Sequence, residues 1–205
     1  MFLTTITAEG RVPPLVVDVG ANVGYFTLLS LALGCRVTAF EPQQHIVPLM
    51  KSSLALNHPS FARRATWLPC AAASVTDQQL ELTQPSPGNG RDTSDWGQVG
   101  VAAAATSHVP KPGCPSTSSS DSSDLTCPSS ILCALSLDDA VSSSDDVLLL
   151  KIDVEGFEAD VISGAQRVLR LRQARNILLE VHEGGHSLQD RVLGEIIRHG
   201  YACLQ

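Results

Sequence analysis

Residues 15–26 read LVVDVGANVGYF. A β-branched apolar run ends in an acid, a turn follows with Gly20, Asn22 and Gly24, and a second apolar run begins at Tyr25. The first run suits a strand buried on both faces, as in a parallel sheet. The second, YFTLLSLALG, lacks two-residue alternation, favours helix, and stops at Gly34, a natural residue just past a helix end. Strand, tight turn and helix open a βαβ unit, and such folds hold ligands at turns of this kind.

The same alternation continues along the chain. RVTAFEP is a second strand stopped by Pro42, and LMKSSLALN a helix with Pro48 near its first turn and Asn57 at its close. ATWLPCAAAS reads as a third strand and QQLELT as a short further one. Regularity then stops. From about Gln84 to Ser130 the residues are mainly Pro, Gly, Ser and Thr, and CPSTSSSDSSDLTCPSS cannot bury enough apolar surface to offset its ordering entropy. A disordered insertion at about 84–130 is therefore expected within one domain spanning 1–205.

Order returns at SLDDAV, where Asp138 and Asp139 suit a helix N-terminus, and at VLLLKIDVEG, a strand of strong β character. Phe157, Val161, Ile162, Ala165, Val168 and Leu169 recur at helical spacing, predicting one amphipathic helix. NILLEV is the next strand, and Ser187 with Asp190 makes a capping box for LQDRVLGEIIRH, ended by Gly200. YACLQ reads as the start of one more strand. The expected fold is α/β: a Rossmann-like, doubly wound, mostly parallel sheet, cut short before its last strands.

Composition narrows the function. The 205 residues carry 21 acidic and 14 basic side chains, a formal charge of -7, with no lysine-rich face, so no nucleic-acid partner is expected. No apolar stretch approaches the roughly 20 residues needed to span a bilayer, and the first residues make a poor signal peptide. The six cysteines form neither CxxC pairs nor a zinc-type pattern. Free thiols in a reducing, intracellular and cytoplasmic setting are the simpler reading.

The chemistry gathers at strand ends, where open α/β sheets bind ligands. The first strand supplies Asp18, Gly20, Asn22 and Gly24, the second Glu41, and the later ones Lys151, Asp153, Glu155, Glu180 and His182. A dinucleotide turn needs G-x-G-x-x-G, but the counted positions hold Gly20, Asn22 and Tyr25. A P-loop would need GK[ST], which is absent. The spacing suits a cofactor without phosphates, with Gly20 allowing close backbone approach and Gly24 close helix packing. Glu41, about 20 residues beyond the turn, can accept from both ribose hydroxyls. An adenosine that carries a sulfonium and an amino-acid tail fits an acidic edge, and that molecule is S-adenosylmethionine.

At these residues the sequence resembles the FkbM-type methyltransferases, within the class I S-adenosylmethionine-dependent enzymes. VVDVGANVGYFTLL is similar to their first motif, AFEP to the second, and SLDDAV to the segment before the fourth strand. LLLKIDVEGFEADVISGA resembles their most distinctive block and ILLEVH the fifth strand. The resemblance implies that Asp18, Gly20, Asn22 and Gly24 surround the methionine part of the cofactor and that Glu41 holds the ribose. It also places a residue between Cys70 and Ala72, taken as Ala72, against the adenine. Asp153 and Glu155 would face the reaction centre as candidates for the general base. The implied reaction is methyl transfer to a hydroxyl of a small molecule, sugar or lipid. The alternative is a non-catalytic domain of the same fold, acting through cofactor or partner binding.

Asp153, Glu180 and His182 could form an oxygen-and-nitrogen metal site, but a solvated strand end explains them as well, and no metal is assigned. Trp96 could sit near the acceptor, and Arg167, Arg170, Arg172 and Arg175 read as solvated helix surface or as cations near a helix C-terminus.

Overall fold

In the computed structural model, which describes residues 12–83, 98–101, 131–180 and 186–204, β1 (Leu15–Val19) is buried along its whole length. There follow α1 (Tyr25–Ala32), β2 (Arg36–Phe40), α2 (Val47–Ala55), α3 (Ser60–Arg64), β3 (Ala65–Leu68), β4 (Ala71–Ala72) and β5 (Leu80–Thr83). Beyond these come β6 (Gln98–Val101), β7 (Ile131–Leu132), β8 (Ala134–Leu135), α4 (Leu137–Ala140) and β9 (Val147–Ile152). The last are α5 (Glu158–Ser163), α6 (Gln166–Arg170), β10 (Ile177–Leu179) and α7 (His186–Arg198).

The main sheet has five parallel strands in the order β10-β9-β1-β2-β3. The chain winds from β1 out to β3, then crosses to β9 and β10 on the other side. The switch in direction lies between β1 and β9, and the crevice above their carboxyl ends is where such sheets bind ligands. Helices cover both faces. Val17 and Val19 pack with Leu150, Ile152, Val161 and Leu169 in one core, while Val16, Val37 and Ala39 pack with Leu31 of α1 in the other. Each buried Val, Leu or Ile side chain of this kind stabilises the fold by about 1.5–3 kcal/mol. No helix among the described residues is long and apolar enough to cross a membrane.

Several expectations are corrected. The third strand is two: β3 ends at Leu68, Pro69 has no N–H to continue the ladder, and β4 leaves the main sheet to pair in parallel with β8. The single helix expected from Phe157 to Leu169 is broken at Gly164 and Ala165. There the Gly164 carbonyl accepts from the Asp138 N–H at 2.9 Å, and the Asp138 carboxylate accepts from the N–H groups of Arg167 and Val168 at 2.7 and 3.0 Å. Asp138 thus caps the start of α6, while Ser136 caps α4 by accepting from the Asp139 N–H at 3.1 Å. Of the two readings of Arg167, the cation in a last helical turn holds and the solvated surface does not: it lies in the last turn of α6, and its guanidinium donates to the carbonyls of Asp138 and Val141.

Within the stretch expected to be irregular, β6 pairs antiparallel with β5; the remainder of 84–130 lies outside the described residues. Residues 201–204 form no strand, and Tyr201 instead donates its hydroxyl to the Ala174 carbonyl at 2.8 Å. α7 begins at His186, one residue before the expected cap Ser187.

The cysteines also differ from expectation. Cys70 and Cys133 form a disulfide across a sequence separation of 63. The β4–β8 pairing makes them neighbours, with the Ala71 N–H donating to the Cys133 carbonyl at 2.8 Å. A disulfide belongs more naturally to an oxidising compartment than to the reducing one expected. Cys35 is free and buried, and burial pushes its thiol pKa up against the opposing pull of Arg64.

Candidate cofactor and active site

The turn after β1 is built from left-handed backbone: φ is 77° at Gly20, 50° at Asn22 and 87° at Gly24. At Gly20 and Gly24 this backbone strains any residue with a side chain. A Cβ on Gly20 would lie 1.8 Å from the Asp153 carbonyl oxygen, and one on Gly24 would lie 1.9 Å from Cε of Met50 in α2. The N–H groups of Gly20 and Ala21 both donate to the Phe40 carbonyl, at 3.0 and 2.9 Å. The turn is therefore clamped between the ends of β2 and β9.

Glu41, at the end of β2, is 2% exposed. Its Oε2 accepts from the Asn22 N–H and its Oε1 from the Gln43 N–H, both at 2.9 Å. A carboxylate has about four lone-pair sites, so each oxygen keeps one for a ligand. The two N–H groups orient the carboxylate before any ligand arrives.

Asp18 takes a different position. As an even residue of β1 it shares the face of Val16 and points toward α1, where Thr27 donates its hydroxyl to Oδ2 at 2.6 Å. Its register partner on β9 is Lys151, whose Nζ lies 3.5 Å from Oδ1. That ammonium also donates to the carbonyls of Gly20 and Val19 at 2.7 and 3.3 Å, pairs with Asp153 at 3.3 Å, and sits 5.7 Å from the Phe26 ring centre. The Asp153 N–H donates to the Val19 carbonyl at 3.1 Å.

Strand β9 ends at Ile152, so simple alternation does not carry on to Glu155. Glu155 and Gly156 adopt φ of 53° and 100°, turning the chain into α5. The Gly156 N–H is held by the Glu158 carboxylate at 2.9 Å, and Glu158 is buried.

One pocket collects most of the expected residues. Gly20, Asn22, Glu41, Ala72, Asp153 and Glu155 line it, with Cys70 beside Ala72 in its wall. Asp18 and Gly24 stand behind this lining, the first bonded to α1 and the second packed on Met50. Glu180 is exposed beyond β10, while His182 and Trp96 lie outside the described residues. Among the described residues no group of three His, Cys, Asp or Glu side chains is placed to hold a metal ion.

The pocket is compatible with an adenosyl cofactor on two observations. The Glu41 carboxylate is oriented by two N–H groups with acceptor capacity left on each oxygen, and the Asn22 Oδ1 atom is buried with no hydrogen-bond partner among the described residues. Sequence reasoning missed Thr27, Glu158, Gln43 and the disulfide at the wall. Thr27 carried a signal in the sequence, because Asp18 shares the parity of Val16 and so faces the helix that contains Thr27.

No curated protein sequence is significantly similar to the chain. A solved structure of the glycopeptide N-methyltransferase MtfA complexed with S-adenosyl-L-methionine matches at 28% identity. That match covers 29% of this chain and 26% of the other, with a TM-score of 0.27, so it is a local likeness over about a quarter of that protein. The family described as "Methyltransferase FkbM domain" matches residues 18–203, which runs from the end of β1 to the last described residues. With that match over most of its length and a five-stranded parallel sheet carrying the turn, the chain belongs to the FkbM family of S-adenosylmethionine-dependent methyltransferases.

Proposed function

We propose that this chain transfers a methyl group from S-adenosylmethionine to a hydroxyl oxygen of a small molecule, sugar or lipid. The observation that carries the reading is the convergence of Glu41, Asp153 and Glu155 on one pocket at the carboxyl ends of β2 and β9. In this reading Glu41 accepts from the ribose hydroxyls through the lone pairs left free by Asn22 and Gln43. Ala72 presents a small apolar wall to the adenine ring, and the turn at Gly20 and Asn22 runs beside the amino-acid tail. When bound, the cofactor supplies an electrophilic methyl group on a positive sulfur.

The protein's own task is then to bind, to orient and to accept a proton. A hydroxyl is a poor nucleophile until its proton is taken, and a carboxylate within hydrogen-bond reach can take it. Asp153 and Glu155 line the pocket and are the candidates. Lys151 anchors Asp153 at 3.3 Å, which favours one orientation of that carboxylate. Much of the acceleration in such a transfer comes from holding the two reactants in line.

Calorimetric binding of S-adenosylmethionine and S-adenosylhomocysteine, with Glu41→Ala as control, tests the cofactor half. Micromolar binding that is lost in the variant is expected; a folded chain that binds neither ligand refutes the reading. A screen of hydroxyl acceptors tests the other half. Asp153→Asn and Glu155→Gln should keep cofactor binding, and the one that removes the base should lose turnover. Full turnover in both would refute the base assignment, and transfer to no hydroxyl by a cofactor-binding chain would leave a binding domain.

A further inference from the structure

The acidic edge of the pocket contains a built-in cation. The Lys151 side chain is 5% exposed, and its ammonium touches two carboxylates and two backbone carbonyls at once. A buried ammonium is tolerated only with such partners. Of the two carboxylates, Asp18 is sealed against α1, whereas Asp153 is 31% exposed at its side chain and lines the pocket. Lys151 therefore offsets the one of its partner charges that a ligand in the pocket can feel.

The methyl donor and its product differ at sulfur by one unit of charge, because a sulfonium becomes a neutral thioether when the methyl leaves. Any charge fixed at the pocket edge is felt by one ligand and much less by the other. We propose that Lys151 is a specificity-determining residue that sets the preference of the site between S-adenosylmethionine and S-adenosylhomocysteine, by balancing Asp153. The proposal rests on the cofactor reading above. With the balance in place, the acidic edge attracts the donor without holding it against neutral competitors by charge alone. Without Lys151 the edge gains net negative charge and favours the sulfonium more strongly; without the Asp153 charge it favours it less.

The test is calorimetry of both ligands on the full chain, read as the ratio of the product Kd to the donor Kd. Lys151→Met should raise this ratio by about threefold or more, and Asp153→Asn should lower it by about threefold or more. Lys151→Arg, which keeps the charge, should leave the ratio within about twofold of the parent, a change too small for a lost unit charge. Shifts in the same direction in the two variants, or a ratio unmoved by either, would overturn the proposal. If Lys151→Met does not fold, Asp153→Asn decides alone, since its side chain is partly exposed, and an unchanged ratio there overturns it. A folded parent chain that binds neither ligand fails differently: it removes the cofactor reading, and this proposal with it.

Discussion

Cys133→Ser should cost the protein a large part of its stability, and the size of the loss can be worked from the structure. The bond joins residues separated by 63 positions. In the chain-entropy relation a closed loop of that length removes about 14 cal/mol/K from the unfolded ensemble, or about 4 kcal/mol at room temperature. Native contacts survive the substitution, because Ala71 still donates to the Cys133 carbonyl and Ala73 to the Leu135 carbonyl, at 2.8 and 3.1 Å. The β4–β8 pairing therefore remains available, and the loss should fall mainly on the loop-closure term. Equilibrium urea unfolding, read by circular dichroism, should show the variant less stable by about 2–4 kcal/mol. Dithiothreitol should bring the parent chain down to the same value and leave the variant unmoved. Peptide mapping without reductant should recover the Cys70–Cys133 link. A difference below about 1 kcal/mol, or a variant that loses as much to reductant as the parent, would refute the reasoning.

Three further outcomes are expected. Gly20→Ala should cost more than about 2 kcal/mol in urea unfolding and abolish cofactor binding, because its Cβ would lie 1.8 Å from the Asp153 carbonyl oxygen at a positive φ. Thr27→Val, nearly equal in shape, should cost about 2 kcal/mol in the same assay by removing the donor to a buried carboxylate, and Thr27→Ser should recover most of it. Hydrogen bonds from Thr76 and Ser136 hold the Asp139 carboxyl below its ordinary pKa. Its folded pKa thus lies below the unfolded one, so its contribution is full above the unfolded value and is lost as pH falls through the folded one. Asp139→Asn should flatten that part of the acid limb of a stability-against-pH profile, and an unchanged profile would contradict the assignment.

The sequence made the parallel sheet legible because β1 is a mostly apolar run buried throughout, and β2 and β9 are short, largely apolar runs that feed both cores. The turn was legible for a related reason, since Gly20 and Gly24 sit at positive φ, where a residue with a Cβ is strained. Less legible was anything set by contact between distant segments. Asp18 and Lys151 meet through the register of β1 on β9, and no local pattern encodes that register. The disulfide depends on β4 leaving the main sheet after Pro69 to meet β8, with the Ser-rich stretch lying between its cysteines in sequence. The broken helix was hidden because its apolar spacing is continuous through Gly164 and Ala165, while the cap that restarts it comes from Asp138 in another segment.

The same long-range contacts argue that the cofactor turn and the acidic loop work as one unit. The Val19 carbonyl accepts from both the Asp153 N–H and the Lys151 ammonium, the Gly20 carbonyl from Lys151 again, and the Glu41 carboxylate from the Asn22 N–H. The missing Cβ of Gly20 leaves room for the Asp153 carbonyl, so even the steric contact runs between the two loops. A change that shifts one loop must shift the other, because no slack separates them. Substitutions at Gly20 or Asn22 should therefore disturb the geometry of Asp153 as well as cofactor affinity. Substitutions at Lys151 should be felt at the turn as well as at the acid. If the chain carries out the proposed transfer, which depends on holding donor and acceptor in line, this coupling has a clear use: the backbone proposed to grip the donor also fixes where Asp153, a candidate base, stands.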